Sequence, residues 1–170
     1  MAEVNEEILE QYLKIKKKWF YIGDIPFKVP GNYSNIDVLA YDPKKMKFYD
    51  FEVKYRSEYS LTNNGEDINY LVDQFSKYHN EREAKISEFT NDKPTIKVIV
   101  TTKKFLGLSN NKRSEMENAF HQKMTKHGYV SQIWYFDEMI PELVECVPLK
   151  GAYKTQLLQT IRLLKTYGKA

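Results

Sequence analysis

Asp37, Glu52 and Lys54 are the residues of this chain whose types and spacing best support chemistry. They lie in the stretch NIDVLAYDPKKMKFYDFEVKYR, residues 35–56, which reads as two strands joined by a tight turn. Asp42, Pro43 and the lysines after them make that turn, because Asp suits a turn's first position and Pro presets φ at its second. Two carboxylates gathered at strand ends offer hard oxygen ligands for a divalent cation, and a lysine beside them can carry or neutralise charge.

Strand parity tests whether these groups meet. Successive residues of a strand point to opposite faces. Ile36, Val38 and Ala40 share one face of the first strand, and Asp37, Leu39 and Tyr41 the other. On the second strand Tyr49, Phe51, Val53 and Tyr55 form an apolar face, with Phe48, Asp50, Glu52 and Lys54 opposite. A hairpin closed over Lys44 and Lys45 sets Asp37 directly against Glu52. Closing it around Pro43 and Lys44 shifts the pairing by two and keeps the same face. Facing carboxylates repel by roughly 0.2–1 kcal/mol when exposed. The pair therefore calls for a compensating cation, which is Lys54, a bound metal, or both.

The remaining elements must position this hairpin. Residues 4–18 read as an amphipathic helix, with Ile8, Leu9, Tyr12, Leu13 and Ile15 at helical spacing and Asn5 as its N-cap. Its glutamates favour the positive end of the helix dipole and Lys14, Lys16, Lys17 and Lys18 the other. Residues 19–29 read as a strand interrupted at Gly23-Asp24 and Pro26, and Pro30-Gly31-Asn32 as a turn. After Arg56 a polar loop, SEYSLTNNGED, leaves the hairpin. Residues 66–89 read as one helix with Ile68, Leu71, Val72, Phe75 and Tyr78 inward. TIKVIVTT at 95–102 is an interior strand. Residues 105–111 read as a loop, 112–127 as a helix ended by Gly128, and 130–136 as a strand. Residues 137–149 are mixed, broken by Pro141 and Pro148. A last helix over 152–167 carries Leu157, Leu158, Ile161, Leu163 and Leu164, and packs on the core or forms a dimer surface. Helices flanking a sheet that contains a hairpin make an α/β layered fold.

Composition narrows the classes. With 170 residues, 42% of them hydrophobic and 29% charged, the chain suits one globular domain with a real core. A net charge of +3 permits a nucleic-acid partner without demanding one. The one cysteine, Cys146, excludes a disulfide framework or thiolate metal centre and is expected to be buried. The acidic start MAEVNEEILE lacks a signal-peptide apolar region, and no apolar run approaches the roughly 20 residues of a membrane span. The expectation is a cytoplasmic protein. A Gly-rich phosphate loop, HExxH and G-x-S-x-G are all missing.

Ile36-Asp37-Val38 followed by Glu52-Val53-Lys54 resembles the signature of the PD-(D/E)XK nuclease superfamily. Within it the chain looks most like archaeal Holliday junction resolvase-type nucleases, over about residues 4–136. Ile36 stands where that signature often has Pro. The resemblance implies a restriction-endonuclease-like central mixed sheet with a catalytic β-hairpin, flanked by helices. Residues 137–170 would then be a C-terminal helical extension of a single domain. It implies a Mg²⁺- (or Mn²⁺-) dependent deoxyribonuclease, in which Asp37, Glu52 and the backbone carbonyl of Val53 hold the metal. Lys54 would orient or deprotonate the attacking water or stabilise negative charge. Glu6 on the first helix, with Glu10 and Glu7 as fallbacks, and Gln74 on the second would hold metal-bound water. Lys18 and Arg56 would contact DNA. Resolvase-like members act as dimers, so a homodimer is expected too. The competing expectation is a nucleic-acid-binding or assembly protein that keeps this fold without catalysis.

Overall fold

The computed structural model describes residues 3–55, 61, 67–151 and 155–168. Five strands form one mixed sheet in the order β1-β2-β3-β4-β5: β1 (Phe20–Val29), β2 (Asn32–Asp42), β3 (Lys47–Val53), β4 (Thr95–Thr101) and β5 (Val130–Tyr135). β1 to β3 run antiparallel to their neighbours through hairpins, whereas β3, β4 and β5 are parallel. The parallel steps need crossovers. These are supplied by α2 (Ile68–Ser76) and α3 (His79–Thr90), then by α4 (Lys103–Leu106) and α5 (Asn110–Lys126). α1 (Val4–Gln11) precedes the sheet, and α6 (Phe136–Cys146) and α7 (Gln156–Tyr167) follow it. The fold is thus α/β, an open mixed sheet flanked by helices.

The helices cover both faces of the sheet. On one face Val38, Ala40, Tyr49, Phe51, Val98 and Val100 pack with α1, the helical turn that follows it, α6 and α7 through Leu9, Leu13, Met139, Leu143, Leu158 and Ile161. On the other, Ile99 and Tyr135 pack with α2, α4 and α5 through Leu71, Phe75, Phe105 and Phe120. A third cluster joins Ile25, Phe27, Val29, Ile36 and Leu39 to Ile86 of α3. Ile36 therefore packs apart from Val38 and Ala40, with which parity alone groups it. Between Ile36 and Val38 the β1–β2 ladder skips one step: Asp24 leaves it at φ +52°, and pairing resumes in the same register on both sides.

Several elements differ from the sequence reading for local reasons. β1 runs unbroken through Pro26, because an edge strand tolerates a missing N–H. The first helix starts at Val4 after Glu3, so Asn5 lies inside it. It widens into a π-helical turn over Tyr12–Lys17 and stops at Lys18, whose φ is +60°. The helix expected over 66–89 is two, separated at Tyr78, which has left the helical region at ψ 47°. Part of the 105–111 loop is α4, capped by the Thr102 hydroxyl, which accepts from the Phe105 N–H. Pro141 does not break α6; it lies in the second turn, where one intrahelical bond is lost. α7 buries Leu158 and Ile161 but leaves Leu163 and Leu164 exposed, so only part of its apolar set serves the core. Cys146 is half-buried rather than buried. From the polar loop Leu61 and Asp67 are described; Leu61 is fully buried with its N–H bonded to Phe105 O at 2.7 Å, and Asp67 caps α2 by accepting from the Asn69 N–H. No helix among the described residues is long and apolar enough to cross a membrane.

Phe51 is fully buried on β3 and packs edge-on against Trp134, with ring centroids 5.0 Å apart. Its neighbours Asp50 and Glu52 point to the opposite face, so this side chain anchors the strand that carries the charges. Phe51→Ala is expected to cost about 3–5 kcal/mol in denaturant unfolding. A loss below about 1 kcal/mol would contradict this packing.

Candidate functional site

The β2–β3 ladder ends at Val38↔Phe51, while β3 stays paired to β4 through Val53. The next step of the same register sets Asp37 against Glu52, the alignment obtained by closing the hairpin over Lys44 and Lys45. At this point a side chain replaces the ladder: the Val53 N–H donates to Asp37 Oδ2 at 2.7 Å. The Lys54 N–H faces the other way and donates to Val100 O at 2.9 Å. Asp37, Glu52 and Lys54 open into one polar cleft of about 370 Å³ with Gln74, Arg82 and the β2 residues Tyr33, Ser34 and Asn35. A larger groove beside α7, about 530 Å³, is lined by Leu149, Leu163 and Tyr167 among others and has no carboxylate among the described residues that line it.

Burial makes the charges in the polar cleft costly. The side chains of Asp37, Glu52 and Lys54 are 14%, 5% and 23% exposed. Lys54 Nζ lies 3.1 Å from Glu52 Oε2 and 3.9 Å from Asp37 Oδ2, bridging the two carboxylates. Asp37 is nevertheless pushed up to about 7, first by burial and then by the Glu52 charge, against the pull of Lys54 and the Val53 N–H. For Lys54, burial opposes the charge, but Glu52 and Asp37 outweigh it and hold the ammonium above its ordinary value. Lys54 is therefore a cation at neutral pH.

Beneath the cleft lies a charge cluster that the sequence reading missed. Arg82 of α3 is 2% exposed; its Nη1 donates to Glu52 Oε1 at 2.7 Å and its Nε to Asp50 Oδ2 at 2.9 Å. Lys97 of β4 donates to Asp50 Oδ2 at 2.9 Å and to Glu83 Oε1. Burial opposes the Asp50 charge, but Arg82 and Lys97 hold its carboxyl below the usual range. The signal for Asp50 was its parity with Glu52. Lys97, set in an otherwise apolar interior strand, was a second signal. Nothing near Arg82 in the chain marks it out.

The other candidates fall at different distances from the cleft. Gln74 lines it; its Nε2 donates to Tyr70 O at 2.8 Å, which leaves the amide oxygen for the cleft. Glu6 is not a lining residue, yet its charge acts on Asp37, and Lys54 acts on it. Its own carboxyl is raised, by burial and then by Glu3. Glu10 packs over β1 at Gly23, where a Cβ would come within 2.1 Å of its Oε1. Any side chain at position 23 would have to displace that carboxylate. Lys18 is exposed at the end of the π-helical turn, outside the cleft lining. Arg56 lies outside the described residues, as do Gly65 and Glu66.

The donor set suits a hard divalent cation. Asp37 and Glu52 supply carboxylate oxygens, and no donor among the described residues bonds Asp37 Oδ1. An antiparallel strand turns the N–H and C=O of one residue toward the same edge, so the Val53 carbonyl lies on the Asp37 side of β3. Among the described residues no group of three or more His, Cys, Asp or Glu side chains forms a ligand set. A metal held here would rely on two carboxylates, with a carbonyl and water completing the shell, as Mg²⁺ tolerates.

The raised Asp37 sets a stability test with a definite sign. Its folded-state value, about 7, exceeds the ordinary 3.8, so the folded protein binds more protons between those pH values. The contribution of Asp37 to stability without metal therefore falls as pH rises from about 4 to 7. Asp37→Asn removes that penalty and is expected to stabilise the metal-free protein by on the order of 3 kcal/mol at pH 8, with no gain near pH 4. Urea unfolding at both pH values checks it; a variant no more stable than wild type at pH 8 would contradict the assignment.

No protein-family model, curated protein or solved structure matches the chain, so the reading of this cleft rests on its geometry and on the motif it carries.

Proposed function

We propose that the cleft is the active site of a metal-dependent DNA endonuclease of the PD-(D/E)XK type, with a restriction-endonuclease-like fold. The observation that carries this reading is the convergence of Asp37, Glu52, Lys54 and Gln74 on one polar cleft where β2 and β3 part. Asp37 and Glu52, with the Val53 carbonyl, would hold Mg²⁺ or Mn²⁺. When bound, that ion supplies charge neutralisation on the phosphate and lowers the pKa of a water.

The chain's own groups account for the rest. Phosphodiester hydrolysis forms a bond from water oxygen to phosphorus and breaks one P–O ester bond, and the leaving oxygen takes up a proton. Negative charge on the phosphoryl oxygens grows toward the transition state, so a fixed cation in a dry cleft stabilises it. Lys54, held protonated by two carboxylates, suits that role better than proton abstraction. Gln74 has an amide oxygen to orient water, and Glu6, outside the cleft lining, acts on Asp37 through its charge. DNA is the proposed partner on the strength of the motif, and junctions or other branched forms are the proposed substrates. A homodimer belongs to the same proposal.

One observation favours the competing reading, a non-catalytic nucleic-acid-binding or assembly protein. Glu52 already has a protein cation on each oxygen, Arg82 on Oε1 and Lys54 on Oε2. In that reading the cluster is complete without metal.

Cleavage assays on a four-way junction, a flap, a single strand and a plain duplex separate the two readings. Wild type is expected to cleave at least one of them with Mg²⁺ or Mn²⁺ and to stop on chelation. Asp37→Ala, Glu52→Ala and Lys54→Ala are each expected to lose about 100-fold or more while still folding and binding DNA. Metal-independent DNA binding with no cleavage of any form would move the non-catalytic reading to first place.

A further inference from the structure

Glu52 is held from both sides. Its Oε2 faces Lys54 in the cleft at 3.1 Å, while its Oε1 accepts from Arg82 Nη1 at 2.7 Å from below. Arg82 does not come from the hairpin. It projects from α3 and is fixed in turn by Asp50, which takes Nε at 2.9 Å and Nη2 at 2.5 Å in a two-point grip. The same Nη1 also donates to the Gln74 carbonyl of α2 at 3.3 Å. One guanidinium therefore joins β3, α2 and α3 at the floor of the cleft. The planar fork of arginine makes this possible; an ammonium is a point donor that cannot reproduce a fixed fork on two carboxylates.

We propose that Arg82 is a positioning residue for Glu52. Anchored on Asp50, it occupies Oε1 and presents Oε2 alone to the cleft, so that Glu52 binds a divalent cation through one oxygen in a fixed direction. This rests on reading the cleft as a metal site. Asp50 completes the arrangement as the anchor: Lys97 holds its Oδ2 from β4 at 2.9 Å, so the carboxylate cannot swing away from the fork. Arg82 touches neither metal nor substrate in this account. It acts through Glu52, and secondarily by tying the backbone at Gln74.

The test is Mn²⁺ binding to the full-length protein, read from the electron paramagnetic resonance signal of free Mn²⁺. Wild type is compared with Arg82→Lys, Asp50→Asn and Glu52→Gln, with circular dichroism reporting folding. Arg82→Lys keeps the charge and loses the fork; Asp50→Asn keeps the shape and loosens the anchor. Both are expected to fold and to bind Mn²⁺ about 10- to 100-fold more weakly, the usual cost of losing a group that orients a ligand. Excess Mn²⁺ is expected to restore cleavage in Arg82→Lys but not in Lys54→Ala, a rescue that a purely structural arginine would not give. Folded Arg82→Lys and Asp50→Asn proteins that bind Mn²⁺ as tightly as wild type would overturn the proposal and leave the cleft reading intact. Failure of both to fold would assign the cluster to the scaffold alone and overturn it too. A wild type that binds no Mn²⁺, or a Glu52→Gln protein that binds it undiminished, would remove the metal site itself and the proposal with it.

Discussion

The structure depends on how charge is buried between β3 and the helix pair α2–α3. Among the described residues Asp37, Asp50, Glu52 and Glu83 face Lys54, Arg82 and Lys97, four carboxylates against three cations. Asp50, Arg82 and Lys97 are no more than 2% exposed at the side chain. Taking such groups out of water is expensive, and only close pairing with further hydrogen bonds offsets it. The fork of Arg82 on Asp50 and the second contact from Lys97 supply that pairing. Removing any one partner would strand a buried charge, so the cluster joins the apolar contacts in tying β3, β4 and α3 together.

The pairing is unequal along β3. Asp50, deepest, has two cations and stays ionised. Glu52, one step outward on the same face, has one from below and one from the cleft. Asp37, across the gap, has among the described residues the far side of Lys54 at 3.9 Å and the Val53 N–H, and its proton is held to about pH 7. Above that pH the unmatched negative charge among the described residues lies at the mouth of the cleft rather than in the core. A scaffold cluster evolved for stability alone would gain by neutralising Asp37. Among the described residues no cation lies closer to Asp37 than Lys54, which is what a site for an incoming cation requires and supports the proposed metal-dependent reading.

Much of this was legible in the sequence, because strand parity is a strict rule. The alternation in YDFEVK fixed which side of the strand carries Asp50, Glu52 and Lys54, whereas the Asp42-Pro43 turn allowed two registers, of which the structure adopts the one that aligns Asp37 with Glu52. Gln74 was found through the motif's resemblance, beside the stripe of Ile68, Leu71, Val72 and Phe75. What stayed hidden needed the third dimension. A half-polar strand face reads as solvent-facing, yet α2 and α3 cover it, so its charges demanded partners from elements 30 or more positions away. Arg82 sits in HNEREAKISEFT, a run whose charges look uniformly exposed, and no local spacing separates it from Lys85 or Glu88. Ile36 was misgrouped because parity assumes an undistorted ladder, and Asp24 distorts this one.

On the proposed reading, Asp37 is protonated until a divalent cation replaces its proton. Titrating its side-chain carboxyl by nuclear magnetic resonance, with and without Mg²⁺, tests this most directly. The account predicts a midpoint near 7 in the metal-free protein. It also predicts a fall of at least about one pH unit when Mg²⁺ is present, because an opposite charge at the carboxylate favours its ionised form. A midpoint in the ordinary aspartate range, or one near 7 that Mg²⁺ does not move, would contradict it.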